Sequence, residues 1–308
     1  MSAPQPILVT GSHRSGTGWV GRIIAAAPEP AIAYLWEPFS PLARPGIRAA
    51  PFDRWFTYVC PDNQDRYEKP LRDMLAFRYR WDAELRAVRT PKDAARMVRD
   101  AARFRRFRAG SAVPLLKDPI AVFSAEWIAD RLGARVVVLI RHPAAFAHSV
   151  RRRELHHPFA DFLDQPLLLR DLLGPFEAEI RRFADEPQGL LDQGILLWRL
   201  IHHAIALFRE RRPDWLFLRL EDVADDPLGR FEEIYAVLGL PFGDRARALA
   251  IETSSPSNPV DVNDMASTRR DSRAAVRSWK RGLSPDDVAR IRERVEPLAS
   301  EFYSDDDW

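Results

Sequence analysis

The 308-residue chain carries a single cysteine, Cys60, so no internal disulfide can brace it and no cysteine-built metal cluster can form. A reducing compartment suits such a sequence. Lysine is scarce as well: Lys69, Lys92, Lys117 and Lys280 are the four present, the remaining basic residues being arginine. Each lysine is therefore mildly informative. No uninterrupted apolar run approaches the roughly 18 residues that a membrane-spanning helix needs. Met1 to Pro6 also lacks the basic stretch and apolar core of a secretory leader. A cytoplasmic protein with no membrane span is expected. Nor is there an excess of one charge, since the formal net charge is +2. That balance argues against a nucleic-acid coat, so basic groups should act locally rather than as a field. Internal repeats and low-complexity linkers are missing too. The hydrophobic fraction of 46% is ample for the core of one α/β domain spanning 1–308.

What is present begins at Ile7-Leu8-Val9-Thr10-Gly11, an apolar run read as a buried strand, followed by Ser12-His13-Arg14-Ser15-Gly16-Thr17-Gly18-Trp19. Gly11 and Gly16 let backbone N–H groups converge on an anion, and a helix from about Thr17 adds its positive N-terminal end. The nucleoside-triphosphatase version of this loop needs Lys and then Ser or Thr directly after the second glycine. Here Thr17 follows Gly16, and the fixed cation is Arg14, whose forked donors suit a tetrahedral oxyanion. The pattern points to a phosphate or sulfate ester, the alternative being a glycine-rich turn with no ligand.

A second strand-to-helix junction reads Val136-Val137-Val138-Leu139-Ile140 and then Arg141-His142-Pro143. Five apolar, mostly β-branched residues suit a central parallel strand covered on both faces, and Pro143 suits the first turn of a helix. Ser149 then falls about two turns into that helix, within reach of an anion held by Arg141. Taken alone, this could be a surface arginine and a serine bonded back to its own helix.

Strand and helix patterns alternate along the chain as in a doubly wound parallel sheet, which predicts a three-layer α/β fold of the P-loop type, a central parallel sheet flanked by helices. Helices are expected over about 17–27, 70–79, 93–108, 121–132, 190–211, 227–239, 243–251 and 285–302, the last capped by Ser284 and Pro285. Strands are expected near 31–35, 113–116 and 215–220. Residues 36–70, rich in proline and aromatics, read as a long ordered loop that shapes a substrate site. Residues 158–185 read as amphipathic or loop pieces broken by proline, forming with 190–211 a helical insertion. Arginines on the 93–108 helix read as a solvated face. Residues 253–273 read as a loop, and the acidic tail from Ser304 to Trp308 as frayed.

The Arg-Ser-Gly-Thr loop at 14–17 resembles the 5′-phosphosulfate loop of sulfotransferases that use 3′-phosphoadenosine-5′-phosphosulfate (PAPS), and Arg141 with Ser149 resembles their 3′-phosphate motif. Leu-Lys-Asp-Pro at 116–119, Leu-Glu-Asp-Val at 220–223, Leu-Gly-Leu-Pro at 238–241 and Ser-Trp-Lys at 278–280 are similar to bacterial sulfotransferases, several also to tyrosylprotein sulfotransferases. The resemblance covers most of the chain. It departs at Gly18, where many members have a second Thr, and in lacking the Lys-Thr-His signature of the cytosolic vertebrate type.

The resemblance implies sulfuryl transfer from PAPS to a hydroxyl acceptor, releasing 3′,5′-ADP without a metal. The acceptor would be a small molecule or a glycan, a carbohydrate or glycolipid being favoured by analogy. Ser15, Gly16, Thr17, Gly18 and Trp19 would bind the donor with Arg14, which would face the 5′-phosphate and the bridging oxygen. Lys117 would follow charge onto the leaving oxygen. Glu37 matches a catalytic glutamate and is the leading base, its pKa expected to rise by desolvation from Trp36, Pro38 and Phe39; His13 is the second candidate. A late segment would close on the nucleotide through Trp279 and Lys280, with Arg269, Arg270 or Arg273. His202 and His203 read as core or pocket wall, and His142, His148, His156 and His157 show no metal spacing. Two other classes stay open: a P-loop kinase or ATPase, with Glu221-Asp222 as the sole magnesium candidates, and an inactive module that binds nucleotide or glycan.

Overall fold

The structure, a computed structural model, describes residues 4–47, 50–260 and 268–308. β1 (Ile7–Gly11) leads through α1 (Thr17–Ile24) to β2 (Ile32–Trp36). After an irregular stretch come α2 (Glu68–Leu75), α3 (Trp81–Ala87), α4 (Pro91–Ala109) and β3 (Val113–Lys117). A 3₁₀ turn over Pro119–Ser124 and α5 (Ala125–Leu132) precede β4 (Arg135–Ile140) and α6 (Pro143–Arg152). Short helices α7 (Ala160–Leu163) and α8 (Pro166–Leu168), α9 (Glu177–Asp185) and the long α10 (Leu190–Arg211) follow. β5 (Leu216–Arg219), α11 (Leu220–Asp225), α12 (Pro227–Val237), α13 (Asp244–Ser254), α14 (Ser272–Val276), α15 (Trp279–Gly282) and α16 (Pro285–Val295) complete the order.

The five strands form one parallel sheet in the order β2-β3-β1-β4-β5. Alternate residues feed two cores. Leu8, Val136, Val138 and Ile140 pack with α5, α6 and α10 on one face, while Ile7, Val9, Val137 and Leu139 pack with α1, α12 and α13 on the other. Strands covered on both sides need no polar face, which is why they read as unbroken apolar runs. β1 lies between β3 and β4, and the chain lays down β2 and β3 on one side of it before crossing to β4 and β5 on the other, so the strands' carboxyl ends frame a crevice there. Every candidate residue at a strand end faces that edge: the loop after Gly11, Glu37 after β2, Lys117 ending β3 and Arg141 after β4.

Residues 37–63 hold no helix or strand where described, yet they are core. Phe39, Phe52 and Phe56 are fully buried, Phe39 stacked on Phe52 at 4.1 Å. Backbone N–H groups of Trp55 and Tyr58 donate to Asp161 (2.8 Å) and Gln165 (2.7 Å), which ties this segment to the short helices after α6.

Several expectations are corrected. The last helix stops at Val295, because Glu296 is extended and Pro297 follows; a 3₁₀ turn over Leu298–Glu301 replaces its end. The acidic tail is ordered: Asp305–Asp307 form a 3₁₀ turn, Asp307 pairs with Arg219 at 3.0 Å, and Trp308 packs on His142 with ring centroids 4.6 Å apart. The arginines of α4 do face solvent, only Arg103 being half-buried, while on its inner side the buried Asp100 binds Arg44 at 2.8 Å. The expected loop over 253–273 is shorter at both ends, since Thr253 and Ser254 belong to α13 and Ser272 and Arg273 to α14, and it lies partly outside the described residues at 261–267. α3, α11, α14 and α15 were not expected.

Candidate functional site

The loop after β1 owes its path to two glycines. Gly11 has φ +130°, and a Cβ there would sit 2.1 Å from the Leu139 carbonyl oxygen on β4; Gly16 has φ +81° and would strike Leu220 at 2.4 Å. Only glycine fits either place without moving the backbone. Gly16 is also the N-terminal cap of α1 and supplies no side chain, so the Thr17, Gly18 and Trp19 N–H groups at its mouth find no partner in the helix. Ser15 donates its hydroxyl to the Ser12 carbonyl, holding the turn closed.

The two sequence motifs meet. Arg14 Nε donates to Ser149 Oγ at 3.3 Å, and the Arg141 guanidinium donates to the Arg14 carbonyl oxygen. Arg14 itself has φ 67°, an uncommon conformation for a non-glycine residue and one that recurs at functional sites. Arg141 is held from behind: Trp198 Nε1 donates to its carbonyl at 2.8 Å, and the half-buried Glu221 carboxylate accepts the His142 N–H at 3.1 Å and the Tyr303 hydroxyl at 3.0 Å.

Across the crevice, Lys117 and Glu37 form an ion pair, both side chains mostly withdrawn from water. The register places Trp36 opposite Lys117, and the Glu37 N–H donates to the Lys117 carbonyl at 2.9 Å. Glu37 sits at φ 45°. Asp118 explains how such a turn is kept. Its fully buried carboxylate accepts the N–H groups of Phe39 (2.7 Å) and Ile120 (3.0 Å), and its carbonyl accepts the Thr10 hydroxyl at 2.8 Å. Burial pushes its pKa up to about 7, opposed first by the hydrogen bond from the Phe39 N–H and then reinforced by the Glu37 charge.

Positive charge dominates the electrostatics. Burial first, then Arg141, Arg270, Arg153 and Arg152, pull the Arg14 pKa down to about 9. Arg141 falls to about 10, mainly by burial, with Glu221 opposing and Arg270 and Arg152 adding. His13 is lowered to about 3 by burial and then by Arg14, Arg141 and Lys117, so its imidazole is neutral at pH 7. Its Nδ1 is shut off from water with no hydrogen-bond partner among the described residues, and its ring meets Phe146 edge-on at 4.9 Å. Like charges so arranged destabilise one another until an anion joins them.

Other candidates stand elsewhere. The Trp19 indole is turned into the core, donating to Thr253 Oγ1 at 2.8 Å, which leaves only its backbone to a ligand. Trp36 does not shield Glu37 as expected, because its ring is 66% exposed. Trp279 stacks on His142 at 4.9 Å, and Lys280 donates to the Trp308 carbonyl at 2.9 Å. Both border a cleft in which Arg219 and Arg277 face Glu221, Asp222, Asp225, Asp306 and Asp307. Arg269 pairs with Glu252 and Arg273 bonds the Asp225 carbonyl, whereas Arg270 acts on Arg14 and Arg141. His202 is core, stacked on Trp198 at 4.0 Å. Asp118, Arg152 and Arg153 were missed; Asp118 lay within the Leu-Lys-Asp-Pro motif, whose proline at a strand end is a turn signal.

Among the described residues no helix is long and apolar enough to cross a membrane. A family model described as the sulfotransferase family matches residues 6–244. Carbohydrate sulfotransferase 1 of Mus musculus is 37% identical over 96 residues, 30% of this chain and 23% of that protein. The Homo sapiens protein of the same name is 36% identical over 96 residues, with the same shares. The chain thus matches less than a quarter of the length of these curated relatives. Among solved structures, the sulfotransferase domain of the Synechococcus PCC 7002 olefin synthase aligns with TM-score 0.51 and 18% identity, over 99% of this chain and 97% of that one. The sulfotransferase domain from the curacin biosynthetic pathway aligns with TM-score 0.50 and 12% identity, over 96% and 98%. These two share the fold, and the family model spans well over half of the sequence: the chain belongs to the sulfotransferase family.

Proposed function

We propose that this protein transfers the sulfuryl group of PAPS to a carbohydrate hydroxyl and releases 3′,5′-ADP. The observation that carries the reading is the convergence of Arg14, Arg141 and Lys117 around a neutral His13 beside the open N-terminus of α1. Such a cluster fits a ligand with several negative charges held at both ends. Arg14 and the N–H groups of Ser15, Gly16, Thr17, Gly18 and Trp19 take the 5′-phosphosulfate; Arg141 and Ser149 take the 3′-phosphate, the Arg14–Ser149 contact opening to admit it. The carbohydrate acceptor is supported by the relatives named carbohydrate sulfotransferase, and residues 36–70 and 158–211 shape its side of the cleft.

Glu37 accepts the acceptor's proton as the hydroxyl oxygen bonds to sulfur. The sulfur–oxygen bond to the 5′-phosphate breaks, and its electron pair stays on the phosphate oxygen. Lys117 follows that oxygen, loosening its pairing with Glu37 as the carboxylate takes the proton. His13 is the weaker base, since its conjugate acid must form among three cations. Against a kinase, Glu221 is engaged by His142 and Tyr303 and Asp222 by Arg219 (2.7 Å), so neither is open to magnesium.

Radiolabelled PAPS with a panel of oligosaccharides tests the reading: labelled sugar is expected, and Glu37→Gln should abolish it while 3′,5′-ADP still binds. Phosphate transfer from ATP, or full turnover by Glu37→Gln, would contradict it.

A further inference from the structure

We propose that Trp36 is the floor of the acceptor subsite and that a pyranose ring stacks on it; this rests on the carbohydrate sulfotransferase reading above. Trp36 ends β2, one residue before Glu37 and in register with Lys117. At 66% it is the most exposed of the nine tryptophans, seven of which lie buried or partly buried in other roles already described or in the core. An indole offers on the order of 150–250 Å² of mostly apolar surface, and this one lies at the strand edge where the candidate residues gather.

The position is specific. Lys117 Nζ lies over the Trp36 ring, 5.8 Å from its centroid, while the same ammonium pairs with Glu37. On its other side Lys117 reaches the mouth of α1, where a Cβ on Gly18 would sit 3.7 Å from its Cε. One cation therefore touches the donor-binding turn, the candidate base and the indole. Whatever rests on the free part of that ring is held beside Glu37 and Lys117. The platform is also rigid: the next residue is fixed by its hydrogen bond to the Lys117 carbonyl, and Phe39 by Asp118. Little ordering entropy is then lost on binding.

The occupant must lay a flat, weakly polar face on an electron-rich ring and still present a hydroxyl at its rim. A pyranose does both, its axial C–H bonds facing the indole and its hydroxyls lying around the edge. The ring quadrupole favours the electropositive C–H face.

The test compares wild type, Trp36→Ala and Trp36→Phe, each saturated with 3′,5′-ADP, for binding of cellobiose, lactose and chitobiose, and then measures PAPS turnover on the best of these. Because the side chain is exposed, both variants should fold. Trp36→Ala is expected to raise the sugar Kd and KM about tenfold, with kcat changed far less and Trp36→Phe recovering part of the loss. Equal sugar affinity in wild type and Trp36→Ala would overturn the proposal. So would binding of p-nitrophenol but of no sugar, with donor binding and the sulfotransferase reading left standing. Failure of wild type to bind 3′,5′-ADP at all would overturn that reading, and this one with it.

Discussion

Asp118 decides where Glu37 can stand. Its two carboxylate oxygens take two different backbone N–H groups, one from the turn that follows Glu37 and one from its own 3₁₀ turn. In Asp118→Asn one of those N–H groups would face an amide NH₂, leaving a buried donor unsatisfied at a cost of about 1–3 kcal/mol. Turnover is expected to fall while 3′,5′-ADP affinity holds, because Arg14, Arg141 and Ser149 are untouched; initial rates set beside titration calorimetry check this. Equal losses in both would mean a general structural role. Arg14, Glu37, Lys117 and Arg141 were legible as candidates because each falls at or just beyond a strand end, where local pattern is strongest, and Ser149 by its spacing from Arg141 along the helix that follows. Asp118 was not, since its partner Phe39 lies 79 residues away. The Glu37–Lys117 pair was hidden for the same reason, the two being joined across 80 residues.

At the level of elements, α6 is where sequence and tertiary structure cooperate most visibly. Pro143 starts it, His142 caps it through Nδ1 at 3.3 Å from the Ala144 nitrogen, and Ser149 two turns on faces Arg14. Its entry is clasped by Trp279, Tyr303 and Trp308 around His142. The tail reads as frayed because composition reports its charge and not its partner Arg219. Trp308→Ala should therefore loosen the start of α6 and weaken 3′,5′-ADP binding several-fold through Arg141, with faster hydrogen exchange at Ala144 to Ala147. Unchanged exchange there would show that the clasp plays no part. The longer helices were legible from their periodicity and stop signals; α3, α11, α14 and α15, seven residues or fewer, were not, since helices so short are set by packing rather than propensity.

The whole molecule joins a sheet buried on both faces to a carboxyl edge rich in cations. The strand runs made the α/β class legible, whereas the order β2-β3-β1-β4-β5 needed contacts that no local pattern carries. Burial has a consequence for pH. His13, His142, His157 and His202 are each lowered to about 3, chiefly by desolvation. Between pH 6.5 and 3 the unfolded chain takes up protons that the fold refuses, so stability is lost as pH falls through that window, by on the order of 1 kcal/mol per pH unit for each histidine. Asp118 acts oppositely: its pKa is raised to about 7, so from 3.8 to 7 the fold keeps a proton the unfolded chain releases, and stability falls as pH rises. The histidines outnumber it. Urea unfolding should show a less stable protein at pH 5 than at pH 7, with the gap narrowed in His202→Gln; equal midpoints would contradict this.

The central claim is that the strand-end cations grip a nucleotide bearing phosphates at both its 3′ and 5′ positions. Titration calorimetry of wild type and Arg141→Ala with 3′,5′-ADP in EDTA tests it most directly. The account predicts saturable binding by wild type, weakened roughly 10–100-fold in the variant, as expected for the loss of charge-assisted hydrogen bonds. No binding by wild type, or the same affinity in both proteins, would contradict it.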